Sequence, residues 1–218
     1  MRKTMRQSAL ANANLEYLDQ AMLADPQTAS EDDRKRILEL VLRSNSHLIA
    51  AMKGVRSLRL PDCCISGPSI AWPLWAALKG TPALPGSNQL YISYYDPSKH
   101  ALEKEVTYLR HIRQILSTGP YQVQLSNQAS HVTQHETVGL KNEVPITCTP
   151  EALLRDPVQT YALGVRLEAN NTFSVLAPFG LSGVFSMKME RNLAFCDEED
   201  FLIKLRRVET MWPRVSFR

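Results

Sequence analysis

Residues 87–96 read Ser-Asn-Gln-Leu-Tyr-Ile-Ser-Tyr-Tyr-Asp, and the other predicted elements are placed around this segment. It alternates Leu90, Ile92 and Tyr94 with side chains of the opposite face, and β-branched and aromatic residues dominate it. A Pro-Gly pair precedes the stretch and a proline follows it, which is typical of turns. An alternating run between two turns predicts a β-strand, which we place at residues 89–95 as the central strand of a sheet.

The segments around this strand predict its neighbours. Residues 58–66 read as a strand that runs into a Gly-Pro-Ser turn, and a helix over residues 71–79 ends at Gly80. Two longer segments, residues 31–52 and 101–116, have apolar positions at helical spacing, which predicts amphipathic helices packed on the sheet. The apolar stripe of the second helix comprises Leu102, Val106, Leu109, Ile112 and Leu116.

Further along the chain, alternation at residues 121–125 predicts a third strand, and residues 159–167 and 173–177 predict a hairpin. Short segments at 149–155 and 184–189 predict a helix and an extended piece, and Asp197 caps a last helix over 198–211. This order of elements predicts the α/β (α+β) class, with a small mixed sheet flanked by helices.

Two motifs in this frame carry a family resemblance. The first helix after the turn ends in Trp75-Ala76-Ala77-Leu78-Lys79-Gly80, and the central strand ends in Tyr94-Tyr95-Asp96. With these motifs the chain resembles the bacterial "nucleotidyltransferase family protein" group, over roughly residues 36–216. The resemblance implies a nucleotidyltransferase-like fold, an NTP as ligand and, in an active enzyme, Mg²⁺ as cofactor.

The chain departs from the family pattern at the positions of the metal ligands. Aligned on Tyr94-Tyr95-Asp96, the two acidic positions of the family motif fall on Gln89 and Tyr91. Neither an amide nor a phenol replaces a carboxylate in binding the divalent ions of two-metal nucleotidyl transfer. We therefore expect no metal site, and a catalytically degenerate protein that keeps the fold as a nucleotide-binding or interaction module. The alternative is an active Mg²⁺-dependent enzyme that moves NMP from an NTP to an unknown acceptor.

The resemblance also implies which residues form any remaining site. Gly67 and Ser69 stand in the turn where the family binds nucleotide, although Pro68 removes one backbone donor. Asp96 is the acidic residue of the motif that remains and is the candidate catalytic residue. A pocket is expected between this turn and the end of the central strand. The alternatives are a plain strand-to-helix turn at Gly67 and a turn-capping role for Asp96.

Composition and charge limit the other possibilities. The net charge of +3 is small and the charges are interspersed, so a nucleic-acid partner is not indicated. No signal peptide or membrane span is predicted, which leads us to expect a cytoplasmic protein. The four cysteines lack zinc-ligand spacing. We divide the chain into an N-terminal extension, residues 1–29, and a nucleotidyltransferase-like domain, residues 30–218.

Two other sets of polar residues are interpreted as surface groups. His131 and His135 are four residues apart, but their surroundings are typical of a loop and do not match a helical metal motif. Basic residues of the last helix are interpreted as a solvated face, with contact to a triphosphate or RNA backbone as the alternative. These residues are Lys204, Arg206 and Arg207.

Overall fold

The computed structural model describes residues 18–81, 88–130 and 145–212, and the backbone of residues 216–217. The helices are α1 (Gln20–Ala24), α2 (Glu31–Ser44), α3 (Ser46–Ser57), α4 (Pro68–Leu78), α5 (Ala101–Ile115), α6 (Thr149–Leu154), α7 (Ser182–Phe185) and α8 (Glu198–Met211). The strands are β1 (Cys64–Ser66), β2 (Gln89–Tyr94), β3 (Gln122–Asn127), β4 (Gly164–Leu167), β5 (Phe173–Leu176), β6 (Lys188–Met189) and β7 (Ser216–Phe217).

Five strands form the main sheet in the order β3-β2-β1-β4-β5. β2 pairs in parallel with β3 and antiparallel with β1, so the sheet is mixed. This confirms the predicted fold class and both predicted neighbours of β2, although β1 occupies the middle of the sheet. The predicted hairpin is also present, as the antiparallel pair of β4 and β5, but its first strand is shorter than predicted because residues Gln159–Tyr161 form a 3-10 turn. A separate two-stranded sheet joins β6 and β7.

The predicted helix over residues 31–52 is wrong in one respect, because two helices occupy that segment. α2 begins at a capping box in which Ser30 and Asp33 exchange hydrogen bonds. It ends at Asn45, whose backbone is extended and whose side chain accepts the Leu48 N–H to begin α3. An asparagine that competes for backbone donors favours such a break over a continuous helix. α2 then packs on α4, and α3 packs on β4.

One face of the sheet is covered by helices and forms the core. Leu90, Ile92 and Tyr94 of β2 are buried, and α4 lies against this strand. Trp75 of α4 is fully buried, donates to the carbonyl of Val184 and packs edge-on against Trp212. α4 is therefore the central helix of the domain.

The apolar stripe predicted for α5 is wrong at its start. Leu102 and Val106 are 72% and 62% exposed, whereas Ile112 is buried. Contacts with β2 set the rotation of the helix about its axis. Tyr94 packs edge-on against Tyr108, and its hydroxyl donates a hydrogen bond to the Glu105 carboxylate at 2.8 Å. A polar contact from the strand thus sets the buried face of α5, which apolar spacing alone does not reveal.

The sequence pattern predicts the last helix well, whereas the division at the N-terminal end is not tested. α8 has the predicted bounds and Asp197 cap, and it buries the predicted Phe201, Leu205 and Val208. Within the predicted N-terminal extension, residues 18–29 contribute Leu23 and Ala29 to the core, and the boundary at residue 30 stays a prediction. The extended piece predicted at 184–189 is wrong at its start, because α7 ends at Phe185 and only Lys188–Met189 form a strand. No helix in the part of the chain described combines the length and apolar character needed to cross a membrane.

Candidate functional site

The turn between β1 and α4 depends on a glycine. Gly67 has φ +58° and ψ −129°, a backbone conformation that side-chain-bearing residues rarely adopt. Its N–H donates to the carbonyl of Leu163 at 2.7 Å, which ties the turn to the segment before β4. Pro68 follows as the first residue of α4, where its missing N–H costs no helical hydrogen bond.

The turn has little capacity left for an anion. The N–H groups of Ile70 and Ala71 point back to the carbonyl of Gly67, each at 3.0 Å, and Pro68 has no N–H. The remaining N–H, that of Ser69, belongs to the first turn of α4, where the helix itself supplies no carbonyl partner. A typical phosphate site at a helix start uses several such amides together. This turn therefore offers a single backbone donor for a phosphate.

The side chain of Ser69 forms hydrogen bonds with the backbone of β2. Its hydroxyl donates to the carbonyl of Gln89 at 3.2 Å and accepts the N–H of Tyr91 at 2.7 Å. Ser69 is buried, and it satisfies the β2 backbone just beyond the last residue paired with β1. Its hydroxyl thus takes the place of a missing strand neighbour.

The two positions where the resemblance implies carboxylates lie on the other face of β2, away from the helical core. Gln89 and Tyr91 alternate with the buried residues of the strand and are half-buried. The Gln89 amide donates to Gln122 at 2.8 Å and accepts from Gln124 at 3.3 Å, both on β3. Farther along the same face, Ser93 shares a hydrogen bond of 2.9 Å with Ser66. Neutral amides and hydroxyls thus line this part of the face.

Asp96 lies beyond the other end of β2 and is not brought together with Gly67 and Ser69. Five residues of extended chain separate it from Tyr91, a distance of roughly 16 Å. A pocket that includes all three candidate residues would therefore have to extend along β2. Their proposed roles stay predictions.

The Asp96 carboxylate is buried, and each of its two oxygens accepts a hydrogen bond. One oxygen accepts the Ser98 N–H at 2.9 Å, and the other accepts from Lys104 Nζ at 3.2 Å. Burial raises the pKa of Asp96, but the hydrogen bonds from Ser98 and the charge of Lys104 outweigh it, so the pKa lies below its usual range. The contact with Ser98 is the turn-capping geometry described above as the alternative.

Asn127 braces this end of the strand, and sequence reasoning assigned it no role. Its side chain accepts the Asp96 N–H at 2.9 Å and donates to the Asp96 carbonyl at 2.8 Å. It is buried at the end of β3, directly opposite Tyr94. Asn127 lies in the segment Asn127-Gln128-Ala129, which also resembles the family, and this was the available signal.

A further residue that the sequence did not single out lies behind the Gly67 turn. Tyr161 accepts a hydrogen bond from Trp72 Nε1 at 3.0 Å, and its ring lies 6.0 Å from that of Trp75. Burial raises the pKa of its hydroxyl above the usual range, so Tyr161 stays neutral. It supports the turn from the core side.

The residues present do not fit a magnesium site. Gln89 and Tyr91 offer no carboxylate, and both oxygens of Asp96 already accept hydrogen bonds, one of them from a cation. Within the described ranges no group of three or more His, Cys, Asp and Glu side chains could hold a metal ion. His131, His135 and Glu136 lie outside the described residues. The basic residues of α8, Lys204, Arg206 and Arg207, are exposed, as a solvated face requires.

Comparisons with known proteins agree with this architecture. A family model described as "Nucleotidyltransferase" matches residues 53–217. The chain belongs to this nucleotidyltransferase family. The chain is also similar to a solved structure, described as an NMR structure that "reveals a CCA-adding enzyme head domain". The TM-score is 0.68 at 19% identity, over 94% of this chain and 99% of the other, which supports the nucleotidyltransferase fold. No curated protein sequence matches the chain.

Proposed function

We propose that this nucleotidyltransferase-family protein does not transfer nucleotides and keeps the region between the Gly67 turn and β2 as a binding module for a nucleotide or another partner. The observation that carries the proposal is the amide ladder at Gln89, Gln122 and Gln124. It occupies the strand position where the family resemblance implies a metal-binding carboxylate. An amide held in a neutral network supplies no charge to a bridging divalent ion.

The same geometry defines the kind of binding to expect. A triphosphate at the Gly67 turn would meet one free amide, that of Ser69, and no described carboxylate through which a metal ion could bridge to it. Binding of an NTP is therefore expected to be weak and independent of Mg²⁺. Bases and riboses would instead find hydroxyl and amide partners on Ser93, Gln89 and Gln124.

The transfer reaction is tested with labelled NTPs, Mg²⁺ or Mn²⁺, and cell extract as the source of acceptors. We expect no label transfer by the unaltered protein. A variant carrying Gln89→Asp and Tyr91→Asp restores the two acidic positions, and Gln122→Asp places a charge on the same face outside the motif. Transfer by the unaltered protein would refute the proposal and establish the active Mg²⁺-dependent alternative. Transfer by the double variant alone would identify the missing carboxylates as the cause.

Binding is tested separately by thermal shift with the four NTPs, with Mg²⁺ and with EDTA. A ligand present at a hundred times its Kd adds about 2.7 kcal/mol of apparent stability. A shift that is equal with and without Mg²⁺ supports nucleotide binding by a noncatalytic module. A shift that requires Mg²⁺ contradicts the proposal, and no shift with any NTP leaves the interaction module as the function.

A further inference from the structure

A cavity of about 380 Å³ lies between the end of α3 and strands β1 and β4. Its floor is apolar and includes Met52, Val55, Ile65 and Val165. The volume falls within the roughly 300–1,000 Å³ typical of small-molecule sites. The cavity is lined from the start of β1, whereas the Gly67 turn follows the end of that strand, so it is separate from the region discussed above.

Three arginines line this cavity, and two of them have no carboxylate partner among the described residues. Arg166 is paired with Asp62 at 2.6 Å. Arg56 donates to two neutral acceptors, the carbonyl of Glu168 and the side chain of Asn171. The side chain of Arg59 is exposed and forms no hydrogen bond or ion pair within the described ranges. Asp62 and Glu168 also line the cavity, so its three arginines exceed its two acidic residues by one positive charge.

The backbone of Arg59 has a positive φ, which is unusual for an arginine. It follows the last turn of α3 with φ +51°, at the position where helices commonly end in glycine. An arginine is less stable than a glycine in this left-handed conformation. Asp62 also has a positive φ, but its hydrogen bonds to Thr149 and Arg166 account for its position. No described contact accounts for the arginine at position 59.

We propose that this cavity binds an organic anion with an apolar body, such as a carboxylate that carries an acyl chain. The chain would lie on the apolar floor, and the carboxylate would meet Arg59 and Arg56 at the mouth, where a guanidinium suits a planar carboxylate. A bound anion would give Arg59 the partner that the described residues do not supply. This site is independent of the proposed function at β2.

The test uses decanoate as the probe and 1-decanol as its uncharged match, in calorimetric titrations. We expect saturable binding of one decanoate per chain, with weaker binding of decanol. Arg59→Gly should weaken decanoate binding by about ten-fold or more, because a charge-assisted contact is lost, while decanol binding stays unchanged. Arg206→Gln removes an exposed arginine of α8 and should leave both affinities unchanged.

Thermal denaturation separates binding from folding in the same variants. Arg59→Gly should keep or raise the Tm, since glycine suits the end of α3. If it fails to fold, Arg59→Gln provides the same comparison of the two probes. Equal affinities for decanol and decanoate, an unchanged Kd in a folded Arg59 variant, or no saturable binding would overturn the proposal. Binding to phosphatidylglycerol vesicles without binding of free decanoate would also overturn it and indicate a surface contact with lipid.

Discussion

The two ends of β2 differ in what their side chains do. At the start, Gln89 makes side-chain hydrogen bonds to two exposed glutamines of β3. No described group of three or more His, Cys, Asp and Glu side chains there could hold a metal ion. At the far end, Tyr94, Tyr95 and Asp96 are tied to the rest of the domain by hydrogen bonds to Glu105, the carbonyl of Ile146 and Ser98. The end that matches the family motif is thus the end that holds the structure together.

Under the proposed function, this difference explains how the chain keeps the family's fold while the transfer chemistry is lost. Metal-binding carboxylates on an exposed face contribute little to folding, and replacing them by neutral residues removes a local repulsion. A buried aspartate that accepts several hydrogen bonds is costly to replace, because its partners would be left unsatisfied. We therefore expect mutations at the far end of β2 to change stability and mutations at its start to change only the site.

The largest effect is expected at Asn127. Asn127→Ala leaves the buried N–H and carbonyl of Asp96 without partners, and should lower the free energy of unfolding by about 3 kcal/mol. Urea denaturation measures the loss. The control is Gln124→Ala, a residue of the same strand that hydrogen-bonds the start of β2. Equal losses in the two variants would remove the distinction between the two ends.

The next effect concerns the charge of Asp96. Asp96→Asn keeps an acceptor for Ser98 but removes the attraction to Lys104, and should cost about 2 kcal/mol at pH 7. Because folding lowers the pKa of Asp96, its stabilising contribution is present above the unfolded pKa and is lost as pH falls through the folded pKa. The difference between the two proteins should therefore shrink at low pH.

Nucleotide binding distinguishes the two roles of Asp96. With a capping role, Asp96→Asn leaves any NTP-induced thermal shift unchanged while the Tm falls. A lost shift at unchanged stability would assign Asp96 to a ligand instead. The measurement is the thermal-shift series described above, run on both proteins.

Asp156 offers a second test, because it is a half-buried carboxylate with fewer hydrogen-bond partners than Asp96. Burial raises its pKa to about 6, against the opposing effects of the Val158 N–H and the Lys204 charge. Its contribution to stability is present below its unfolded pKa and is lost as pH rises through about 6. Asp156→Asn retains an acceptor for Val158 and should raise the free energy of unfolding at pH 8 by about 1 kcal/mol.

The control for Asp156→Asn is the same variant at pH 4. There the gain should vanish, because the wild-type carboxyl is already largely protonated in the folded protein. Denaturant unfolding at the two pH values gives both numbers. A gain that persists at pH 4 would trace the effect to packing and not to charge.

The sequence predicts most of the fold because short-range patterns determine its main elements. Alternation located β2, and the Asp197 cap and apolar spacing located α8. The break at Asn45 and the rotation of α5 depended on particular side-chain hydrogen bonds, which periodicity does not contain. The same limit applies to β1, which pairs with its neighbours over fewer residues than its apolar segment suggested.

The candidate site was less predictable than the fold. Alignment on one motif indicated that Gln89 and Tyr91 replace carboxylates, but it did not indicate that Asp96 lies roughly 16 Å along the strand from Tyr91, the residue that Ser69 contacts. Nor could it show that Ser69 uses its hydroxyl to complete β2, since that bond requires the turn and the strand to meet in space. Distances between elements that are separated in sequence are set by packing.

The smallest effect is expected at the start of β2, with Gln89→Glu. The change removes the donor to Gln122 and places one carboxylate among neutral amides, yet the Gln122 amide can turn to present its N–H instead. Gln89 is half-buried, but its neighbours Gln122 and Gln124 are exposed, so water reaches the added charge and the free energy of unfolding should change by less than about 0.5 kcal/mol. Urea denaturation beside Gln122→Glu checks the value. A loss of several kcal/mol would mean that the amide ladder is a structural feature, and that its lack of charge reflects a demand of the fold and not a lost reaction.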